Sequence, residues 1–150
     1  MNAVRNACFE TGTLEGWTKT DASAARITPG NGWGNNWGSP NPPEATGTSK
    51  HELRLGGGVD GVEQRVTGLR PDTAYILSAW ARVSAEGESV ALGVRERPDA
   101  VASTGATGWT RLVVEFKTAP AETAVTILMR KTSEGPGYAF VDNVGLSRTP

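Results

Sequence analysis

The chain has 150 residues, a length that suits one domain able to bury a core without disulfide support. Its 19 glycines and 9 prolines make up about 19% of the residues, against a usual share of about 12%, and this composition disfavours helix. Lys and Arg number 15 and Asp and Glu number 16, so the net charge is −1. This balance excludes a global positive field for holding nucleic acid or an anionic membrane.

The chain has a single cysteine, Cys8, and a single histidine, His51. One cysteine excludes an internal disulfide and a zinc site built on paired thiolates, and one histidine removes many proton-relay schemes. Residues 1–9 lack the apolar run of a signal peptide, and no segment approaches the roughly 20 apolar residues of a membrane span. We expect one soluble, monomeric module over residues 1–150, excised from a larger secreted enzyme, because the ending Ser147–Pro150 suits the beginning of a linker.

Apolar residues recur with a period of two in many short segments, and none shows a sustained helical period. About nine strands at this spacing favour an all-β protein, a β-sandwich of two antiparallel sheets. The predicted strands, in chain order, are Arg5–Phe9, Ala24–Thr28, Leu53–Leu55, Val62–Val66, Tyr75–Val83, Val90–Val94, Trp109–Lys117, Val125–Met129 and Tyr138–Leu146. Between the sixth and the seventh of these strands we predict a loop over Pro98–Gly108.

The segment Pro29–Ser49 breaks this pattern, because it is rich in Gly, Asn and Pro around Trp33 and Trp37. Loops of this length without their own secondary structure are functional or disordered. Two bulky aromatic residues favour an ordered functional loop, which we expect to form one wall of a binding cleft. The alternative is a loop that its two tryptophans anchor to the domain.

Four motifs occur in an order that resembles carbohydrate-binding modules of families four, nine, sixteen and twenty-two. Single motifs are weak, because Gly68–Tyr75 alone also resembles a fibronectin type III domain, but that domain needs only about a hundred residues. The four motifs are Asn6–Gly12 with Glu15–Trp17, Val62–Leu69 continuing through Tyr75–Trp80, Thr107–Thr110 before Phe116, and Phe140–Val144.

The resemblance implies a β-jelly-roll, a structural Ca²⁺ that joins the two ends of the chain, and no catalysis by the module itself. Glu10 and Asp142 match the metal carboxylates of these families, and Gly12 and Lys50 match their backbone ligands. Calcium takes six to eight hard oxygen ligands, including carboxylates and carbonyls. The alternative is that both acids bond loop amides.

The tryptophans outside the long loop fall into two groups. Trp17 and Trp109 match family positions that fill the sandwich, so we expect core packing for both. Trp80 alternates with Leu77 and Ala79, which predicts that it lies on the outer face of a sheet. An exposed aromatic residue there suits stacking against a pyranose ring.

Arginines follow the same alternation. Arg82 shares the face of Trp80, and Arg95, Arg97 and Arg130 alternate with apolar residues of two later strands. If these strands were neighbours in one sheet, the guanidinium groups would share one outer face. Guanidinium groups bind carboxylate and sulfate well, which favours an acidic polysaccharide. The alternatives are a neutral β-glucan or xylan ligand, and a solvated face balanced by glutamates.

The sequence therefore predicts a non-catalytic module that anchors a tethered catalytic domain to polysaccharide, with binding by Trp33, Trp37, Trp80, Arg82, Arg95 and Arg130. A small glycosidase or polysaccharide lyase is an alternative. A glycosidase needs two facing carboxylates, and a lyase would use Arg with Tyr or His. The strand acids Glu52, Glu63, Glu96 and Glu115 carry no signature of that chemistry. A protein-binding adhesion module is the remaining alternative.

Overall fold

The computed structural model describes residues 3–5, 9, 13–20, 25–29, 51–56 and 59–150. Every regular element in this part of the chain is a β-strand. No helix among the described residues has the length and hydropathy that a membrane span needs. The strands are β1 (Thr18–Lys19), β2 (Arg26–Pro29), β3 (His51–Gly56), β4 (Asp60–Val66), β5 (Ala74–Val83), β6 (Val90–Val94), β7 (Arg97–Thr104), β8 (Thr110–Lys117), β9 (Val125–Lys131) and β10 (Tyr138–Arg148).

The strands form two five-stranded sheets in which every pairing is antiparallel. Sheet I has the strand order β1-β4-β9-β6-β7, and sheet II has the order β2-β3-β10-β5-β8. Neighbours in each sheet are mostly distant in sequence, as is usual when two sheets pack face to face. The predicted β-sandwich jelly roll is confirmed.

The core lies between the sheets and is filled by alternate residues of each strand. In β5 the burial alternates along the whole strand, with Leu77 and Ala79 buried and Ser78 and Trp80 half-buried on the outer face. Sheet I contributes Ile127 and Met129 of β9 to the same core. Each fully buried aliphatic side chain of this size stabilises the fold by about 1.5–3 kcal/mol.

Two predictions about local structure are wrong. Arg5 and Phe9, the two described residues of the predicted strand Arg5–Phe9, are in no strand. The segment predicted as the loop Pro98–Gly108 is largely strand β7, an edge strand paired with β6. Its small side chains produce little apolar contrast; only Ala100 and Ala102 pack against the core, and Val101 points outward, 55% exposed.

Of the two tryptophans predicted to pack in the core, one does so and the other does not. Trp17 is buried, and its ring lies 5.5 Å from that of the buried Phe9. Trp109 is half-buried and lies outside the core, next to the start of β8.

A buried ion pair closes one end of the sandwich. Lys131 Nζ lies 3.0 Å from Glu88 Oε1 and donates to the carbonyl oxygens of Ser133 and Gly135 at 2.8 Å each. The Ser133 hydroxyl and the Gly137 N–H donate to the Glu88 carboxylate at 2.6 and 2.7 Å. These contacts hold the β9–β10 connection around the carboxylate. The hydroxyl of Ser133, followed by the ammonium group of Lys131, holds the pKa of Glu88 below its usual value of 4.5.

Because the pKa of Glu88 is lower in the folded protein than in the unfolded chain, the ionised carboxylate stabilises the fold at pH values above 4.5. This stabilisation is lost as the pH falls through the folded-state pKa. We expect Glu88→Gln to lower the melting temperature at pH 7 by roughly 5 °C. The difference from wild type should shrink steadily as the pH falls below 4.5. Thermal unfolding, followed by circular dichroism, measures this difference in melting temperature. The control is Glu134→Gln, because Glu134 is an exposed residue of the β9–β10 connection. A difference that is constant with pH would contradict this role.

Candidate functional site

The outer face of sheet I carries a cavity of about 400 Å³, here called the sheet I pocket. It lies over β4 and β9, beside the end of β1 and the turn that follows β6. Arg95 and Arg130, two of the predicted binding residues, line it together. The lining residues are Lys19, Thr20, Gly61, Glu63, Arg95, Leu128, Met129 and Arg130.

Small and apolar residues form the floor of the sheet I pocket. Gly61 of β4 pairs with Arg130 of β9, and a Cβ added at Gly61 would come within 2.9 Å of the Met129 carbonyl oxygen. Gly93 of β6 pairs with Leu128 from the other side. The floor beside Leu128 is therefore flat and apolar, a shape that suits the apolar face of a sugar ring.

Three cations and one carboxylate stand around this floor. The guanidinium group of Arg95 forms an ion pair with Glu63. Because Arg95 follows β6 and Glu63 lies on β4, this contact crosses β9. Arg130 is exposed, and neither it nor Lys19 makes an ion pair with a described residue. The pocket thus holds an excess of positive charge in a chain whose net charge is −1.

The outer face of sheet II carries the other predicted group, Trp80 with Arg82. Arg82 pairs with Phe140 of β10, and its guanidinium carbon lies 4.5 Å from the Phe140 ring centroid and 5.8 Å from that of Trp109. On the neighbouring strand, Arg54 lies 4.5 Å over the Tyr138 ring. Such contacts are favourable by about 0.5–1 kcal/mol at exposed sites.

The sheet II face is less open to a ligand than the sheet I pocket. Phe140 and Asp142 both lie on it, yet they are only 8% and 0% exposed. Trp80 is half-buried, and its Nε1 is a buried donor without a hydrogen-bond partner. Trp80 occupies the predicted outer face, where its side chain is half-buried. The binding role predicted for it stays a prediction.

The predicted single arginine face does not form. Arg82 lies on β5 of sheet II, whereas Arg130 lies on β9 of sheet I and Arg95 in the turn after β6. The alternation along each strand was predicted correctly for Arg82 and Arg130, but alternation does not determine which strands become neighbours. Arg97 is further removed, because it begins β7 and forms an ion pair with Glu122.

Asp142 is the described member of the predicted calcium set. It is fully buried, and its carboxylate accepts a hydrogen bond from the Asn143 N–H at 2.8 Å. The pairing of β10 with β5 shifts between Asp142 and Gly145, and Asn143 has a positive φ of 52°. A buried carboxylate at a strand irregularity fits one hard oxygen ligand of Ca²⁺. The described residues contain no group of three or more His, Cys, Asp or Glu side chains that could hold a metal by themselves.

Several predicted site residues lie outside the described residues. They include both tryptophans of the segment Pro29–Ser49 and three of the four predicted metal ligands. These residues are Trp33, Trp37, Glu10, Gly12 and Lys50.

Sequence reasoning missed the floor and part of the rim of the sheet I pocket. Gly61 and Glu63 alternate with the core residue Val62, so their shared outer face was detectable. Leu128 shares the parity of Arg130 in β9, so its outer position was detectable too. Lys19 had no such signal, because β1 has only two residues.

Comparison with solved structures shows what the chain is similar to. The family 61 carbohydrate-binding module TmCBM61, in complex with β-1,4-galactotriose, matches with a TM-score of 0.70 and 21% identity over 99% of both chains. A family 16 carbohydrate-binding module matches with a TM-score of 0.69 and 23% identity, over 97% of this chain and 99% of that one. This chain has the fold of these carbohydrate-binding modules. The resemblance inferred from the four motifs is confirmed at the level of the fold.

One curated protein is also similar in sequence. The keratan-sulfate endo-1,4-β-galactosidase of Sphingobacterium multivorum is 31% identical over 135 residues. These residues are 89% of this chain and 28% of that enzyme, so the chain spans less than a third of its relative's length. No protein-family model matches the sequence.

Proposed function

We propose that this chain is a non-catalytic module that binds an anionic polysaccharide containing β-1,4-linked galactose, with the sheet I pocket as its binding site. The fold supports the coarser part of this function, since carbohydrate-binding modules of two families share it. The pocket supports the finer part, because its cations are suited to an acidic sugar.

The convergence of Arg95, Arg130 and Lys19 above a flat floor is the observation that carries the proposal. Guanidinium groups form short, bidentate hydrogen bonds to sulfate and carboxylate oxygens. Leu128 and the glycines beneath them offer contact to the apolar face of a pyranose ring. A shallow site of this kind predicts modest affinity, because few contacts are fully desolvated.

The sugar is proposed from the names of two similar proteins. The family 61 module was solved with β-1,4-galactotriose, and the similar enzyme is a keratan-sulfate endo-1,4-β-galactosidase. Keratan sulfate combines a galactose-containing backbone with sulfate groups, which suits the cationic rim. Neutral β-glucan or xylan is the alternative that the same experiment tests.

Binding is favoured over hydrolysis by the lining of the sheet I pocket. A glycosidase uses two carboxylates about 5 to 9.5 Å apart, whereas Glu63 is the one carboxylate among the described lining residues and is paired with Arg95. The similarity to 28% of an enzyme supports a tethered catalytic domain in a longer protein, and we propose that this protein is secreted. Tethering raises the concentration of the catalytic domain near its substrate.

Arg130→Ala tests the pocket. We expect the dissociation constant for keratan sulfate to rise at least about tenfold, since hydrogen bonds to charged groups are worth about 1.5–3 kcal/mol. Wild-type binding should weaken as salt is added and should be much weaker for chemically desulfated keratan. Affinity electrophoresis against keratan sulfate, desulfated keratan, β-1,4-galactan, xylan and β-glucan measures the affinity of wild type and of the variant for each polysaccharide. Lys117→Ala, an exposed cation of sheet II, is the matched control.

Equal retention of wild type on desulfated keratan or on β-1,4-galactan would overturn the anionic part of the proposal and leave a neutral galactose ligand. Retention on xylan or β-glucan alone would overturn the galactose part. No retention on any polysaccharide would favour a protein-binding module. Release of reducing ends would show that the chain is catalytic.

Trp80→Ala compares the two surfaces with the same panel. Because the sheet II face is mostly covered at Phe140 and Asp142, we expect retention close to wild type, with a lower melting temperature from the lost packing. If Trp80→Ala loses retention while its fold stays intact and Arg130→Ala keeps it, the binding site is on sheet II instead.

We also propose a structural Ca²⁺ held by Asp142 together with Glu10, Gly12 and Lys50. The support from the described residues is the buried Asp142 carboxylate at the β10 irregularity. The ion would offset the negative charge of this buried carboxylate and join the start of the chain to β10. Its role is structural, because Asp142 lies on sheet II, away from the sheet I pocket.

Chelation tests the calcium proposal. We expect EDTA to lower the melting temperature by several degrees and added Ca²⁺ to restore it, because a ligand that binds only the folded state stabilises it. Asp142→Asn should remove the response to EDTA. Differential scanning fluorimetry with Mg²⁺ as the control ion measures both. A wild-type melting temperature indifferent to EDTA and to Ca²⁺ would rule the ion out.

A further inference from the structure

Strand β4 leads from the sheet I pocket to the opposite end of the sandwich. Gly61, Glu63 and Arg65 alternate with the buried Val62 and Gln64, so all three lie on the outer face of sheet I. Gly61 and Glu63 line the pocket, and Arg65 is exposed beyond it. Four residues along a strand span about 13 Å, so Arg65 begins a second cationic region close to the first.

Two shallow depressions continue from Arg65 around the end of the sandwich. They measure about 430 and 330 Å³ and share Ala3. The first is lined by Arg5 and Arg65, and the second by Arg70 and Arg148, among other residues. Neither depression has an acidic residue among its described lining residues. We call Arg5, Arg65, Arg70 and Arg148 the arginine track.

All four arginines of the track are exposed, and none makes an ion pair with a described residue. Several other described cations do have such partners: Arg97 pairs with Glu122, Lys117 with Asp72, and Lys131 with Glu88. Exposed guanidinium groups that make no ion pair with a described residue can attract an anionic chain.

The backbone beneath the track is held in place. The side-chain amide of Gln64 makes two hydrogen bonds to the backbone of Arg5. It accepts from the Arg5 N–H at 2.8 Å and donates to the Arg5 carbonyl oxygen at 3.0 Å. The Arg70 N–H donates to the Tyr75 hydroxyl at 2.9 Å, and the Ala3 N–H donates to the Leu146 carbonyl oxygen at 3.1 Å. The backbone at Arg5 and Arg70 is therefore held in place, so binding has to order the arginine side chains and not the backbone that carries them.

We infer that the arginine track is a second anion-binding region, which takes the continuation of a long anionic polysaccharide whose first residues occupy the sheet I pocket. This inference rests on the proposed function. The occupant is polysaccharide because the track continues directly from the pocket along β4. A long chain gains affinity from simultaneous contact with both regions, which a short fragment cannot make.

The test compares short and long fractions of keratan sulfate binding to wild type and to Arg65→Ala/Arg70→Ala, measured by isothermal titration calorimetry at several salt concentrations. We expect the double variant to bind long chains about tenfold more weakly. The slope of log affinity against log salt should fall by about 1 to 2 for long chains. Affinity for the short fraction should not change. Lys117→Glu is the control, because it changes the net charge by the same amount on sheet II.

The outcomes separate this inference from the proposed function. Unchanged long-chain affinity and salt slope in the double variant would overturn the track and leave the pocket, which Arg130→Ala tests with the short fraction. An equal loss for both fractions, or the same loss in Lys117→Glu, would also overturn it, since a general charge effect would then be responsible. Wild type that binds neither fraction overturns both proposals. The melting temperature of the double variant should not fall, because both side chains are exposed and make no ion pair with a described residue.

Discussion

The antiparallel pairing of β9 with β4 on one side and β6 on the other is the constraint on which the candidate site depends. This pairing points Ile127 and Met129 into the core and Leu128 and Arg130 toward the pocket. A shift of one residue would exchange the two faces of the strand. Core packing and the pocket are therefore specified by the same register, and the buried Lys131 secures the end of β9 through Glu88.

Charge is distributed unevenly over this nearly neutral chain. Several described carboxylates are engaged away from the outer face of sheet I: Glu88 inside one end of the sandwich, Glu122 with Arg97, and Asp72 with Lys117. On sheet I itself, Glu63 neutralises one guanidinium group and leaves Arg130 without a described partner. A local positive field along sheet I is thus compatible with a net charge of −1.

Much of the fold follows from local patterns in the sequence. The alternation in β5 correctly predicts which residues fill the core and that Trp80 and Arg82 face outward. It fails for β7, where alanine, serine and threonine produce little contrast between the faces of an edge strand. The family resemblance, and not the alternation, misplaces Trp109: Leu112, Val114 and Phe116 of β8 are buried, and Trp109 lies on the opposite parity, outside the core.

The sequence by itself determined the class of fold and the facing of most strand residues, because a two-residue period and turn-forming residues are local properties. Only the tertiary structure decided which faces come together. It separates Arg82 from Arg130 by assigning β5 and β9 to different sheets, and it brings Arg95 across β9 to Glu63. The physical reason is that strand order depends on which strand edges pair, and the paired strands are mostly far apart in the chain. The local sequence of a strand does not determine which other strand it pairs with.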